Sequence, residues 1–178
     1  QAKMVLADTL EDIRDEGIEC AETIPVGMMV EVPSAVMMID KLVQEVDFLS
    51  IGTNDLIQYA LAVDRGNKDI ASLYRASDPA VLRLIDITIR AARAAGVHTT
   101  LCGEMSSSPA YTMLLLGLGL RSMSVAPSAL PEIKQICRHV SLEQCERIAE
   151  RVMEMDSARE IDAYLQEQLR KVAPELVF

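Results

Sequence analysis

Short apolar runs alternate along this chain with longer segments whose apolar residues recur every three or four positions. Val26–Val30 follows Pro25 as a continuous apolar run, and Val46–Ile51 is a second, closed by Gly52. Val97–Leu101 is a third and Ser122–Val125 a weaker fourth. Short runs bounded by glycine or proline predict buried strands, whereas the longer spacing predicts amphipathic helices. Residues 1–19 read as a leading helix, with Met4, Val5, Leu10 and Ile13 as a loose apolar face. Pro33 opens a helix expected to run through Leu42, and a long amphipathic helix covers Ala80–Ala95. Two further helices carry stripes at Leu142, Cys145, Ile148, Val152 and at Ile161, Tyr164, Leu165, Leu169.

Helix starts are marked by capping chemistry. Asp78-Pro79 and Ser108-Pro109 place an N-cap side chain before a proline whose missing N–H costs nothing there. Ser141 with Gln144, and Ser157 with Glu160, fit the capping box. Strands alternating with helices imply parallel strands joined by right-handed crossovers. These four units fit either a small open sheet or half of an eight-stranded barrel, and the pattern alone does not choose. No linker or repeat divides the chain. It reads as a single unit, with a leading helix in 1–24, a β/α part in 25–138 and C-terminal helices in 139–178.

Composition narrows the classes. At 178 residues, half of them hydrophobic and a quarter charged, the chain is long enough to bury a core and too apolar to be disordered. It holds no uninterrupted apolar stretch of the roughly 18 residues that a membrane span requires. Lys and Arg number 17 against 27 Asp and Glu, a net charge of −10. Such a field opposes generic binding of nucleic acid or anionic lipid, while small phosphates held by local arginines stay open. With Tyr 4, Phe 2 and no Trp, a base-stacking platform lacks its rings. Cys20, Cys102, Cys137 and Cys145 form no CxxC pair and read as reduced thiols of a cytoplasmic protein. The chain opens on Gln1 rather than Met, as expected of a piece of something longer.

The polar residues just after the strands carry the candidate chemistry. Glu31 ends the first run, Asn54-Asp55 follow the second, and Cys102-Gly103-Glu104 follow the third. In α/β proteins and barrels the C-terminal strand ends form the face that bears the site. Glu31 and Asp55 each admit a bland reading as caps of the next helix, and a second one as two carboxylates sharing a hard cation such as magnesium. Cys102 is either a small buried hydrophobe or, beside Gly103, a thiol facing a ligand as a proton donor. Arg65, in the turn-rich Asp64-Arg65-Gly66-Asn67, is either a surface partner of Asp64 or a guanidinium fork for phosphate oxygens. Cys20, Cys137 and Cys145, in helical contexts, and His98, within the third strand, read as structural. His139 has no partner at ligand spacing.

These residues carry a resemblance. Gly27-Met28-Met29-Val30-Glu31-Val32-Pro33, then the stretch from Ser50-Ile51-Gly52-Thr53-Asn54-Asp55 to Asp64-Arg65-Gly66-Asn67, then Cys102-Gly103-Glu104-Met105 closely resemble the phosphoenolpyruvate-utilising enzymes. Among these, Gln58–Asn67 resembles the Enzyme I-type phosphoenolpyruvate–protein phosphotransferases of bacterial sugar uptake more than the pyruvate phosphate dikinases or phosphoenolpyruvate synthases. The match runs from about residue 25 to 138 and fades toward the C-terminus. It implies a fold, the C-terminal half of a (β/α)8 TIM barrel, and a dimer. Carried over residue by residue, Glu31 and Asp55 resemble Mg2+ ligands, and Asn54 and Arg65 resemble holders of the substrate phosphate. Cys102 resembles the acid that protonates the enolate carbon as pyruvate forms. The phosphoryl group is then expected on a histidine of a separate domain, and from there on an HPr-like phosphocarrier.

The chain departs from the family pattern in two places. Ser106-Ser107-Ser108 stands where Ala-Gly-Asp is usual, and Ile57 and Ala60 stand where threonines are usual. The family's first four strands, its other phosphate-binding arginines and its phosphohistidine are not found in this sequence. The expectation is therefore an incomplete fragment of the catalytic barrel, inactive in isolation, whose uncovered faces pair with a second copy. A non-catalytic dimerisation or regulatory module is the alternative from another class. A piece of a dikinase or synthase is the third.

Overall fold

The computed structural model describes residues 1–176. Helix α1 (Ala2–Asp15) is followed by strand β1 (Gly27–Val30), α2 (Pro33–Met37), α3 (Ile39–Leu42), β2 (Phe48–Gly52) and α4 (Thr53–Leu61). Then come α5 (Pro79–Ala95), β3 (His98–Cys102), α6 (Pro109–Gly117), β4 (Ser122–Met123), α7 (Leu130–His139), α8 (Leu142–Met153) and α9 (Ala158–Val172). The four strands form one parallel sheet in the order β1-β2-β3-β4. Sequential order, with no reversal, means that each crossover advances in the same direction and lays its helix on the same face. A doubly wound sheet reverses its order and covers both faces. The architecture is a partial (β/α) barrel, and the open-sheet alternative falls away.

Register shows how the faces divide. Val30, Ile51, Leu101 and Met123 pair across the sheet, with Met28 opposite Leu49 one rung down. Val30, Leu49, Ile51 and Leu101 are completely buried, packed with Val36, Leu82, Ile85, Ile89 and Met113 of the helices. The alternate residues, Met29, Ser50, Thr100 and Ser122, lie on the opposite face with Phe48 and His98. Among the described residues no helix covers that face, and Met29 is 45% and Phe48 39% exposed.

Helix α6 buries Ala110, Thr112, Met113, Leu114 and Leu115 in near succession. A helix apolar all round must be covered on several sides, and α8 and α9 supply the cover through Cys145, Ile148, Val152, Ile161 and Leu165. The capping signals hold at Asp78, Ser141 and Ser157, whose side chains accept from Ala80 N, Gln144 N and Glu160 N. Ser108 precedes α6 as its N-cap residue without a side-chain bond.

Several expectations are corrected. Helix α1 stops at Asp15 because Gly17, at φ 72°, turns the chain left-handed. Gly17 N bonds Arg14 O and Ile18 N bonds Ile13 O, which closes the helix end. Cys20 therefore lies in irregular chain rather than helix, and α1 buries none of its residues. The helix expected from Pro33 through Leu42 breaks at Met38, whose backbone leaves helical geometry at φ −108°, ψ 13°. His98 lies in β3, as expected, at its first position on the uncovered face, where it is exposed. Among the described residues no helix is long and apolar enough to cross a membrane.

Candidate functional site

Glu31 directly follows β1, Asn54 and Asp55 sit in the first turn of α4 after β2, and Cys102 ends β3. Parallel strands of nearly equal length and aligned register deliver these side chains to one edge of the sheet, with Gly52 paired opposite Cys102. Asp55 is not the cap of a helix beginning at Leu56. The helix already starts at Thr53, so Asp55 lies within its first turn, where a carboxylate meets the positive end of the helix dipole.

Three of the predicted residues, Asp55, Arg65 and Asn54, are linked through residues the sequence reading left without a role; Glu31 and Cys102 stand outside this network. Gln58 Nε2 donates to Asp55 Oδ1 at 3.3 Å, and Gln58 Oε1 accepts from the Arg65 backbone N–H at 3.0 Å. The Arg65 guanidinium pairs with Glu104 at 3.4 Å, and the Glu104 backbone N–H donates to Asn54 Oδ1 at 3.0 Å. Arg65 therefore does not pair with Asp64, whose carboxylate instead accepts from Gly66 N at 2.8 Å and shapes the turn. The Arg65–Glu104 pair is 46% and 78% exposed, so water screens it and it holds the guanidinium weakly. The Tyr74 hydroxyl donates to the Asn54 carbonyl at 3.4 Å. Burial and then the Glu104 carboxylate raise the Tyr74 phenol above its ordinary value, against the opposing pull of Arg65.

Cys102 stands on the uncovered face. Its Sγ is 3.6 Å from Ser50 Oγ, 3.6 Å from the Ile51 carbonyl and 3.9 Å from Met29 Sδ. The strand end is fixed by the buried Thr53, whose hydroxyl donates to the Cys102 carbonyl at 2.8 Å. Gly103 follows at φ 109°, and a Cβ there would overlap the Thr53 hydroxyl and stand 2.8 Å from Asn54 Oδ1. Only glycine lets the β3 and β2 ends approach this closely. The adjoining serines are tethers: Ser106 Oγ, with one proton to give, lies within hydrogen-bond distance of both Gly103 O (2.7 Å) and Ser124 O, while Ser107 Oγ accepts from Ala126 N at 2.9 Å. The Ser106–Ser108 departure thus ties the loop after β3 to the chain after β4. By contrast Cys145 lies in the core, where burial raises its thiol above the ordinary cysteine value and keeps it protonated.

Whether the residues suit magnesium depends on their donor chemistry. A Cβ at Gly52 would lie 3.3 Å from Glu31 Oε2 and 3.0 Å from Met29 Sδ, so the glycine leaves a cradle beside the Glu31 carboxylate. Asp55 is three residues further along, with Oδ1 engaged by Gln58. Among the described residues no group of three or more His, Cys, Asp or Glu is placed to hold a metal ion. A set of two carboxylates without a closed cage fits a hard ion that keeps several waters and takes oxygens from a substrate phosphate, the habit of magnesium.

Gln58, Thr53, Tyr74 and Glu104 are the site residues the sequence reading missed. Gln58 carried a signal, since it sits three positions after Asp55 in a predicted helix. Tyr74 carried none, because its approach to Asn54 depends on the path of a twenty-residue excursion.

Comparison with known proteins shows the family. The model of the PEP-utilising enzyme PEP-binding domain matches residues 1–142. The chain is 42% identical over 169 residues to the phosphoenolpyruvate-protein phosphotransferase of Haemophilus influenzae, covering 95% of this chain and 29% of that protein. It is 40% identical over 171 residues to that of Bacillus subtilis, covering 96% and 30%. It is 41% identical over 153 residues to that of Borreliella burgdorferi, covering 86% and 27%. The chain thus spans about three tenths of the length of these relatives. It belongs to the PEP-utilising enzyme family, through that family's PEP-binding domain.

Proposed function

We propose that this chain supplies one side of a phosphoenolpyruvate site in a phosphoenolpyruvate–protein phosphotransferase acting in the cytoplasm. The observation that carries the reading is the gathering of Asp55, Asn54 and Arg65, linked through Gln58 and Glu104, at the edge of the parallel sheet where Cys102 ends β3. Arg65 exchanges its Glu104 partner for the phosphate oxygens, and the Asn54 side chain holds a further phosphate oxygen. Glu31 and Asp55 would hold Mg2+, which supplies neutralisation of the charge spread over those oxygens. Phosphoryl transfer consists largely of such positioning and charge stabilisation. As the ester P–O bond breaks, the phosphoryl group passes to a histidine nitrogen elsewhere in the protein and onward to an HPr-like phosphocarrier. The bond's electron pair stays on the enolate oxygen, and the Cys102 thiol gives its proton to the enolate carbon to form pyruvate. The resulting thiolate is reprotonated from water.

By the same reading the chain pairs with a second copy, and a monodisperse monomer in light scattering would remove that element. The test of the site is a calorimetric titration of phosphoenolpyruvate with Mg2+ into this chain beside Asp55→Ala. Saturable heat that disappears in the variant is expected. Absence of heat from both would leave the site residues stranded in this chain and overturn the reading for it.

A further inference from the structure

The side chain of Gln58 touches two groups to which the reading above gives different tasks. Its Oε1 accepts from the Arg65 backbone N–H and its Nε2 donates to Asp55 Oδ1. The orientation of the amide follows from chemistry: a backbone N–H only donates, so it must face the oxygen, which turns the NH2 group toward the carboxylate. Gln58 and Asp55 are three apart on α4 and share a face.

Arg65 reaches Gln58 because of the turn that ends the helix. Ala62 adopts a left-handed conformation at φ 53°, ψ 41°, and Val63 N bonds the Gln58 carbonyl at 3.0 Å. The chain doubles back over α4, and the loop is shaped from within by Gly66 N on Asp64 Oδ1 and Asn67 N on the Asp64 carbonyl. Gln58 therefore secures this loop to the helix twice, once by its backbone and once by its side chain. The guanidinium's own partner, Glu104, is mostly solvent-exposed and holds it weakly.

We propose that Gln58 is a positioning residue that couples the Asp55 carboxylate to the Arg65 loop, so that a divalent cation arriving at Asp55 firms the backbone carrying the phosphate-gripping guanidinium. The proposal rests on the assignment of Asp55 and Arg65 made above. Gln58 occupies Oδ1 and leaves Oδ2 for the cation, so the two do not compete. A ligated carboxylate loses its rotational freedom, the amide bonded to it loses its own, and the acceptor facing Arg65 N becomes fixed. Carboxylate ligands depend on such supporting bonds for their affinity.

The test is amide hydrogen exchange and chemical-shift mapping by NMR on the 15N-labelled chain, titrated with Mg2+ alone. In the parent, Mg2+ is expected to shift the Asp55 amide and to slow Arg65 exchange about fivefold, the size of one modest hydrogen bond. In Gln58→Met, Arg65 exchange should be fast and indifferent to Mg2+, and the cation should bind Asp55 about tenfold more weakly. Gln58→Glu, which keeps the acceptor, should retain Arg65 protection before cation is added. Dispersion of the remaining amides checks that each variant is folded. If Mg2+ shifts Asp55 but leaves Arg65 exchange unchanged in the parent, or if Gln58→Met behaves as the parent, the coupling is overturned and the site assignment survives. If Mg2+ shifts neither Glu31 nor Asp55, the assignment itself fails and takes the coupling with it.

Discussion

The same strands present two unlike faces. Under the helices Val30, Leu49, Ile51 and Leu101 are wholly buried, while one residue along, Met29 and Phe48 remain 45% and 39% exposed beside Ser50, Thr100 and His98. A half-solvated strand ordinarily alternates apolar and polar residues, whereas a strand of a parallel sheet buried on both faces reads as a continuous apolar run. Gly27-Met28-Met29-Val30 is such a run. The uncovered face is thus written partly in residues suited to a covered one, and α1, with Met4 and Val5 exposed and nothing buried, shares that character. Stability is concentrated on the clad face. The candidate chemistry stands at the edge of the sheet, with Cys102 on the bare face.

The largest expected effect separates the faces by truncation. Leu101→Ala removes a wholly buried side chain from the clad face and should cost about 2–5 kcal/mol. Met29→Ala on the bare face should cost under ~1 kcal/mol, since much of its surface already meets water. Urea unfolding of both variants measures the difference. Equal losses would mean that the bare face is packed in solution against something it does not touch in the single chain, and the contrast would be broken.

A smaller effect sharpens the same contrast through pH. On the clad side, Tyr111 of α6 donates its hydroxyl to Asp162 of α9 at 3.3 Å. Burial, and after it the Asp162 charge, push the phenol far above the usual tyrosine value. A raised folded-state value means that this stabilisation is complete below the unfolded phenol's pKa of about 10 and declines as pH rises beyond it. The parent should therefore lose up to ~1.4 kcal/mol per pH unit above about pH 10 from this group. Tyr111→Phe, already about 1 kcal/mol weaker at neutral pH for want of the hydrogen bond, should lack that component. Unfolding free energies of the pair from pH 8 to 11 give the difference; parallel curves would show that α6 and α9 are not joined here.

What the sequence disclosed follows from the range of the forces involved. Strands, caps and apolar stripes are local, and β1, β2, β3, α5, α8 and α9 fall where periodicity and capping chemistry put them. The identity of the edge was also legible, because a polar residue near the end of an apolar run marks a strand end, as Glu31 does just after β1, Cys102 at the last position of β3 and Asn54-Asp55 in the turn of helix after β2. Long-range partners were not. Arg65 pairs with Glu104, thirty-nine positions away, rather than with its neighbour Asp64, because the turn at Ala62 points it toward the end of β3. Nor was the break at Met38 legible, since no glycine or second proline interrupts Pro33–Leu42 and the weaker helix formers there, such as Val36 and Ile39, do not mark a position.

The smallest effect concerns that turn. Ala62 is the one residue other than glycine with positive φ among those described, at 53°, a conformation costing an L-residue roughly 1–2 kcal/mol. Glycine removes that strain but gives part of it back through the greater freedom of the unfolded chain, about 0.4–1 kcal/mol. Ala62→Gly should therefore raise stability by about 0.5–1 kcal/mol in urea unfolding. The sign distinguishes the two regions, since truncation on the clad face removes packing and always destabilises, whereas at the edge it removes strain. The same substitution loosens the segment whose Arg65 N–H must meet Gln58. If the strain serves to aim that segment, the variant should be more stable and yet show faster Arg65 amide exchange than its parent. A variant that is more stable with Arg65 equally protected would place the strain outside the positioning of the arginine.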